Sequence, residues 1–298
     1  MNSSQRKLTI ENFLSASAFD RIANLAHSEA GIVLSKSKES MVKSRLTRRL
    51  RALKIGDFDT YLNFLENDTN ADEISHFISA LTTNVSHFFR EEHHFSALRN
   101  DILPLLYTKL KMGQPVRIWS AGCSNGQEPY SIAMTLLEFD SNIGNYDIKI
   151  LATDIDPEVL TYAIQGSYSG ALTSGLPKNC EKYFTCTKIM NDEVLQIKPN
   201  VKNLVSFRQL NLHAKWPMAG CFDVIFCRNV VIYFDDETQS QLYRRFANSL
   251  NDAGYLLLGH SERLGEEVSD LFKNIGVTIY QSNKKRGEVP SQNRMERQ

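Results

Sequence analysis

The sequence predicts an α/β protein in which an all-α N-terminal domain precedes a mostly parallel, doubly wound sheet with a small inserted β-subdomain. Three observations support this. Apolar residues recur at helical spacing over residues 10–82, short apolar strands alternate with helices over residues 113–281, and β-like segments interrupt that alternation at about 176–202. We expect residues 83–112 to form a linker and a helix, and the polar tail 282–298 to be disordered.

The N-terminal domain is predicted to be helical because its apolar residues repeat every three or four positions. Neither strand-like alternation nor hairpin turns interrupt this spacing, which favours a domain built of helices alone. The residues that define the spacing are Phe13, Ile22, Leu25 and Ala26; Met41, Leu46, Leu50 and Leu53; Tyr61, Leu62 and Leu65; and Ile74, Phe77, Ile78 and Leu81.

The second half is predicted to contain a parallel sheet because its strands are separated by helices with recognisable ends. Asp156 and Pro157 indicate a helix start and Gly166 its end, while Asp236 with Gln239 resembles a capping box. The strands are expected at 116–119, 148–153, 204–208, 224–227, 255–259 and 277–281.

The β-subdomain is predicted from a segment that fits neither helical nor parallel-sheet patterning. Short β-like pieces at 183–185 and 194–197 flank a polar turn at 191–193, which is typical of a hairpin. The stretch between the two pieces, residues 186–193, contains no glycine.

A glycine-containing loop, WSAGCSNGQEPY at 119–130, links the first strand to a helical pattern. Glycines at such a turn allow the backbone to approach a ligand closely, and Asp154 at the end of the next strand is suited to bind ribose hydroxyls. The loop departs from G-x-G-x-x-G, and Asp154 lies farther along than the roughly 20 residues typical of dinucleotide sites. A nucleoside without a pyrophosphate fits better, and S-adenosylmethionine is the leading candidate.

The composition argues against several classes of partner. The 34 basic and 34 acidic residues cancel, so bulk charge predicts no affinity for nucleic acid or for a membrane surface. No apolar run is long enough to span a bilayer. The five cysteines form no C-x-x-C pair and the histidines lack ligand spacing, so we expect a cytoplasmic protein without a metal.

Several segments together resemble the CheR family of chemotaxis receptor methyltransferases. The likeness spans roughly residues 20–280 in the expected order, and the blocks around Asn84 and Arg228 are the most specific. The segments are TTNVSHFFRE at 82–91, GCSNGQEPY at 122–130, ATDID at 152–156, FDVIFCRNVVIYF at 222–234 and GHSE at 259–262.

The resemblance implies a Rossmann-like S-adenosylmethionine methyltransferase domain that methylates glutamate side chains on the cytoplasmic domain of chemoreceptors. The products would be glutamate methyl esters and S-adenosylhomocysteine, and we expect a monomer. Arg90 and Tyr233 would act in catalysis. The residues implied to bind the cofactor are Asn84, Ser86, Arg90, Gly122, Glu128, Asp154, Asn211, Leu212, Arg228 and Asn229.

Simpler roles compete with these assignments. Arg90 could pair with Glu91 or Glu92 at the surface, and Glu128 could serve only the helix start. The asparagines could be turn residues, backbone contacts could be what matters at Arg228, and Tyr233 could be a core residue.

Basic residues on the helix 41–54 form a second candidate site. Leucines occupy one face of this helix, and the basic residues spread over the remainder. A solvated face is the simpler interpretation, but methylated receptor helices are acidic, so we expect a docking surface. The residues are Lys43, Arg45, Arg48, Arg49 and Arg51.

Two other functions remain open: a methyltransferase for another acceptor, and a catalytically idle adaptor that binds S-adenosylmethionine and receptors. Some family members also bind a peptide at the receptor C-terminus through a glycine-rich loop of the β-subdomain. Because residues 186–193 lack glycine and carry acids, we expect no tight binding of that peptide.

Overall fold

The structure is a computed structural model that describes residues 13–67, 71–173, 176–189 and 192–284. Its N-terminal part contains helices α1 (Ala16–Ala30), α2 (Glu39–Leu53), α3 (Phe58–Leu65) and α4 (Ala71–Leu81), which confirms the predicted all-α domain. Ser15 caps the start of α1, and Gly31 ends it in the left-handed conformation with φ 71°. Buried residues such as Ile22, Leu46 and Tyr61 form the core of this domain.

The linker between the domains continues into a helical segment. Helices α5 (Glu92–Ala97) and α6 (Leu103–Lys111) flank a π-helical turn, Leu98–Ile102. Phe95 and Leu98 are buried in the core cluster that includes the sheet residue Phe226, so this segment packs against the sheet of the C-terminal domain.

The C-terminal domain contains helices α7 (Gln127–Phe139), α8 (Pro157–Gln165), α9 (Pro199–Lys202) and α10 (Asp236–Ser249). Its strands are β1 (Val116–Ala121), β2 (Ile148–Asp154), β3 (Ser167–Ser169), β4 (Phe184–Ile189), β5 (Asp192–Ile197), β6 (Val205–Gln209), β7 (Phe222–Cys227), β8 (Leu250–Leu258), β9 (Phe272–Gly276) and β10 (Ile279–Ser282).

In the described part of the chain, the main sheet has seven strands in the order β6-β2-β1-β7-β8-β10-β9. The first five strands in this order run parallel, whereas β10 is antiparallel to β8 and to β9. The predicted mostly parallel sheet is therefore confirmed. The sequence did not indicate β9, because Lys273, Asn274 and Ile275 are exposed in succession at the sheet edge and leave no alternation.

The ends of α8 agree with the prediction, but the start of α10 does not. Asp156 accepts a hydrogen bond from the backbone N–H of Glu158 at 2.8 Å, and Gly166 ends α8 in the left-handed conformation. The capping box assigned to Asp236 is wrong by one residue. Asp235 has extended backbone geometry and accepts from the N–H of Thr238, so Asp236 is already helical.

The β-subdomain is larger than the predicted hairpin. The pairing of β4 with β5 runs from Phe184 opposite Ile197 to Ile189 opposite Asp192, and β3 adds a third strand to β5. The turn predicted at 191–193 is wrong for 192 and 193, because cross-strand hydrogen bonds extend β5 to Asp192. Residue 191 lies outside the described residues.

The start of the C-terminal tail also differs from the prediction. Ser282 belongs to β10, and the N–H of Asn283 donates to the carbonyl oxygen of Leu271 at 2.9 Å. Pairing with the sheet therefore orders the first residues of the tail, whereas 285–298 lie outside the described residues. Among the helices that are described, none has the length and apolar character needed to cross a bilayer.

Candidate cofactor-binding cleft

A cleft lies at the carboxyl ends of β1, β2 and β7, where parallel sheets of this type bind ligands. The N-terminal domain covers it through Ala30 and Ile32, and the linker contributes a wall. The structure brings the whole predicted set of catalytic and cofactor-binding residues to this cleft: Asn84, Ser86, Arg90, Gly122, Glu128, Asp154, Asn211, Leu212, Arg228, Asn229 and Tyr233.

The glycine loop shapes one wall of the cleft. Gly122 adopts φ 82°, and a Cβ atom at this position would stand 2.3 Å from Cγ2 of Val230. A larger residue is therefore excluded by backbone strain and by the side chain that follows β7. The loop is also fixed to β2, because the N–H groups of Gly122 and Cys123 both donate to the carbonyl oxygen of Thr153, at 2.8 and 2.9 Å.

Asp154 ends β2 and is only 8% exposed. Its Oδ2 accepts from the N–H of Ser124 at 2.8 Å, and its Oδ1 accepts from the N–H of Asp156 at 3.1 Å. Burial raises the pKa of Asp154 to about 6, although these hydrogen bonds favour the ionised form. The carboxylate is thus held in a fixed orientation at the edge of the cleft.

A buried arginine connects the end of β7 with the linker and with α7. The Nη1 of Arg228 lies 3.0 Å from Oε2 of Glu128, and its Nη2 lies 3.4 Å from Oε2 of Glu91. The same guanidinium donates to the carbonyl oxygen of Arg90. Arg228 therefore stabilises the site internally, and Glu128 does more than cap α7, since its Oε1 also accepts from Ser120 at 2.8 Å.

Glu91 is a site residue that the sequence did not single out. Burial opposes its ionisation, but Arg228 and hydrogen bonds from His260 outweigh this and lower the pKa of Glu91 to about 2. Ligand atoms of Glu91, His93 and His94 lie within 4.8 Å of one another, an arrangement compatible with a metal ion. Because the guanidinium of Arg228 already neutralises Glu91, we interpret the cluster as an ion-pair network, and the absence of a metal stays a prediction.

Glu262 is a second unpredicted residue, and it fixes the turn after β7. Its carboxylate is 3% exposed and accepts from the backbone N–H groups of Asn229 at 3.0 Å and of Val230 at 2.8 Å. The N–H groups of Val231 and Gly259 donate to it as well. This clamp holds Asn229 in the left-handed conformation, φ 59°, and thereby sets the start of the turn that carries Tyr233.

Tyr233 lies between the two domains. Its side chain lines the cleft, and its carbonyl oxygen accepts from the N–H of Val33 in the N-terminal domain at 2.8 Å. The side chain also packs against the core of that domain, which agrees with the core role considered for it, while its role in catalysis stays a prediction.

The linker supplies Asn84, Ser86 and Arg90. Its path is fixed by Phe88, which is buried against the rings of Tyr168 and Phe184 in the β-subdomain at centroid distances of 4.9 and 5.5 Å. The guanidinium of Arg90 donates to the carbonyl oxygen of Val85, and no carboxylate of a described residue forms an ion pair with it. The surface ion pair considered for Arg90 is therefore wrong, and its charge faces the cleft.

Asn211 uses both polar atoms of its side-chain amide for contacts within the protein, and its role in cofactor binding stays a prediction. Its Nδ2 donates to the carbonyl oxygen of Glu29 at 2.7 Å, and its Oδ1 accepts from the N–H of His213. The amide thus joins the two domains, and a ligand can still use its second N–H, its second oxygen lone pair or the backbone of Asn211. Leu212 lines the same wall of the cleft.

The basic residues of α2 divide into two groups. Arg45 donates to the carbonyl oxygens of Leu81 and Thr82 and to the hydroxyl of Thr83. Arg49 pairs with the buried Glu73 at 2.5 Å. These two guanidinium groups hold the N-terminal domain together, whereas Arg48 and Arg51 are exposed and Lys43 is partly exposed.

The residues of the cleft fit S-adenosylmethionine. The carboxylates of Asp154 and Glu128 are acceptors suited to ribose hydroxyls and to an amine, and Arg90 offers a cation for a carboxylate.

Comparisons with known proteins agree with this fit. The family model described as CheR methyltransferase, SAM binding domain, matches residues 84–281, and the model described as CheR methyltransferase, all-alpha domain, matches residues 17–82. A probable chemotaxis protein methyltransferase of Rhizobium etli is 45% identical over 257 residues, covering 86% of this chain and 96% of the relative. The chemotaxis protein methyltransferase of Escherichia coli is 42% identical over 270 residues, covering 90% and 91%. The chain therefore belongs to the CheR methyltransferase family.

Proposed function

We propose that this protein transfers a methyl group from S-adenosylmethionine to glutamate side chains on the cytoplasmic domain of chemoreceptors, forming methyl esters. The observation that carries the proposal is the meeting of a strand-end acid, Asp154, with the unpaired cation Arg90 in one cleft. Relatives described as chemotaxis protein methyltransferases support the same activity. The role would place the protein in the cytoplasm, beside the receptor domain.

S-adenosylmethionine supplies an electrophilic methyl group on a sulfonium when bound. Asp154 would accept hydrogen bonds from the ribose, and Glu128 with Arg228 would define the charge around the methionyl end. Arg90 would orient a carboxylate through its planar guanidinium, and Tyr233 would line the path of the acceptor.

The acceptor needs no general base. A glutamate with an ordinary pKa of about 4.3 is already ionised near neutral pH. The enzyme mainly has to align two reactants and exclude water, since the transfer is an in-line displacement. The site should not stabilise the sulfonium cation or the glutamate carboxylate strongly on its own, because strong stabilisation of one reactant alone would raise the barrier.

The alternatives are a methyltransferase for another protein and an adaptor without catalysis. Tyr233 is the residue that favours an active enzyme, because it lines the cleft without belonging to the set expected to bind the cofactor. A protein acceptor is favoured over a small molecule because the N-terminal domain covers the cleft beside an exposed basic helix face.

The proposal is tested by transfer of labelled methyl groups from S-adenosylmethionine to membranes that contain chemoreceptors. We expect base-labile label on receptor glutamates, and a reduction of about 100-fold or more with Arg90→Ala at saturating S-adenosylmethionine, with an unchanged melting temperature as the control for an intact fold. Binding of the cofactor without transfer to receptors would favour the adaptor instead.

Asp154 should determine both the strength and the pH dependence of cofactor binding. Asp154→Ala removes two charge-assisted bonds to the ribose, each worth about 1.5–3 kcal/mol. Because hydrogen bonds from the ribose would lower the raised pKa of about 6, binding releases a proton at low pH. Wild-type affinity should therefore weaken as pH falls through about 6, measured by calorimetric titration with S-adenosylhomocysteine.

The isosteric Asp154→Asn is the control for that pH effect, since it cannot titrate. Its affinity should be weak and nearly independent of pH between about 5 and 7. Unchanged affinity in Asp154→Ala would mean that the ribose is bound elsewhere.

The exposed basic residues of α2 should assist receptor docking. Arg48→Ala with Arg51→Ala removes two charges that make no described internal contact, and we expect receptor methylation to slow about fivefold, roughly 1 kcal/mol. The affinity for S-adenosylhomocysteine should stay constant. The wild-type rate should also fall with added salt, because the Debye length is about 8 Å at physiological ionic strength and shortens further.

Lys178→Ala with Lys273→Ala is the matched control, because it removes the same charge from exposed positions of the C-terminal domain that also make no described internal contact. Arg49 is unsuited to this test, since its loss would leave Glu73 buried without its cation. Normal methylation by the α2 variant would identify this helix face as merely solvated.

The receptor C-terminal peptide should bind weakly or not at all. Most of the predicted loop 186–193 is strand in the structure, and its glycine-free sequence gives a peptide backbone no close approach. We expect receptors with and without the peptide to be methylated equally well. A dissociation constant in the low micromolar range, roughly −8 kcal/mol, for the isolated peptide would contradict this expectation.

A further inference from the structure

A closed ring of hydrogen bonds joins three segments beside the cleft. The Nδ2 of Asn84 donates to Oδ2 of Asp156 at 2.9 Å, and the N–H of Asp156 donates to Oδ1 of Asp154. The N–H of Ser124 donates to Oδ2 of Asp154, and the hydroxyl of Ser124 donates to the carbonyl oxygen of Asn84 at 3.0 Å. The linker, the glycine loop and the end of β2 are thereby fixed relative to one another.

Asp156 differs from the other ring members because it lies behind the cleft wall and is only 2% exposed. Its two oxygens have separate tasks. Oδ1 accepts from the N–H groups of Glu158 and Val159 and caps α8, whereas Oδ2 accepts from Asn84 and from the hydroxyl of Ser79 at 2.7 Å. Oδ2 takes no part in the cap of α8, so its contacts need another explanation.

We propose that Asp156 is a positioning residue for the cofactor cleft, which orients Asp154 and Asn84 through the ring and joins them to α4 of the N-terminal domain through Ser79. This inference rests on the proposed cofactor site. A buried carboxylate that uses every lone-pair direction is costly to leave half satisfied, so the ring forms as one unit with the helix cap. The ribose acid is consequently preorganised before the ligand enters.

The ring also links the N-terminal domain to the cofactor. Ser79 lies on α4, which ends just before the linker residues that Arg45 grips from α2. Asn84 follows three residues after the end of α4. Hydrogen bonds between packed elements therefore fix the cleft wall relative to the N-terminal domain.

Asp156→Ser is the discriminating variant, because serine is also a preferred helix cap but is too short to reach Asn84 and Ser79. We expect its S-adenosylhomocysteine affinity to fall about tenfold and its KM for S-adenosylmethionine to rise correspondingly. The methylation rate at saturating S-adenosylmethionine should stay within about twofold of wild type, and the melting temperature within a few degrees. Ser79→Ala removes the bond to α4 and leaves the ring closed, so its affinity should stay within about twofold.

An affinity of Asp156→Ser within twofold of wild type would overturn the proposal, and so would a loss of rate that saturating cofactor does not restore. Hydrogen exchange of the wild-type protein provides a test that needs no variant. The amides of Ser124 and Asp156 should be protected in the free protein, and exchange at the rate of an unstructured peptide would show that no ring exists. If the wild-type protein did not bind S-adenosylhomocysteine at all, the proposed function would fail instead.

Discussion

The buried guanidinium of Arg228 is the constraint on which the site depends. A cation that is 6% exposed must find carboxylates within the fold, because an unpaired charge in this position would be strongly destabilising. Glu128 on the first turn of α7 and Glu91 on the linker fulfil this requirement. The carbonyl oxygen of Arg90 accepts from the same group. One charge therefore brings the end of β7, the start of α7 and the linker to a common point.

This arrangement explains why the cleft requires both domains. The sheet domain provides the strand ends, but Ala30 and Ile32 close the cleft from the N-terminal side. The domains are joined by a hydrogen bond from Val33 to Tyr233 and by another from Asn211 to Glu29. Such contacts orient the linker. A sheet domain alone would leave the cleft wall that the linker forms without support.

The charges of the site follow a simple order from the interior to the surface. The network of Arg228, Glu91 and Glu128 is internally neutralised, and burial lowers the pKa of the neighbouring His94 to about 3, so that this ring stays neutral. Arg90 has no such partner among the described carboxylates, and its charge remains available at the cleft. In the proposed reaction this charge would orient a carboxylate, and an acceptor that is already ionised would need no catalytic base.

Much of the fold and part of the site could be predicted from the sequence, because they depend on short-range patterns. Helical spacing marked the N-terminal helices, and a proline with a preceding acid marked the start of α8. Asp154 could be identified because a strand and its end are visible locally, and parallel strands place their carboxyl ends together. The resemblance to a known family then brought residues from distant segments to one expected cleft.

Only the tertiary structure decided which polar side chains form hydrogen bonds and ion pairs with one another. The sequence could not show that Arg45 and Arg49 are held inside the N-terminal domain while Arg48 forms no hydrogen bond or ion pair with a described residue, since all three lie on one basic helix. Asn211 binds a carbonyl oxygen 182 residues away, and such a contact leaves no local signal. Glu262, Glu91 and Asp156 act through hydrogen bonds between separate segments for the same reason. Local periodicity determines where an element forms, whereas the satisfaction of buried charges and N–H groups depends on which elements meet.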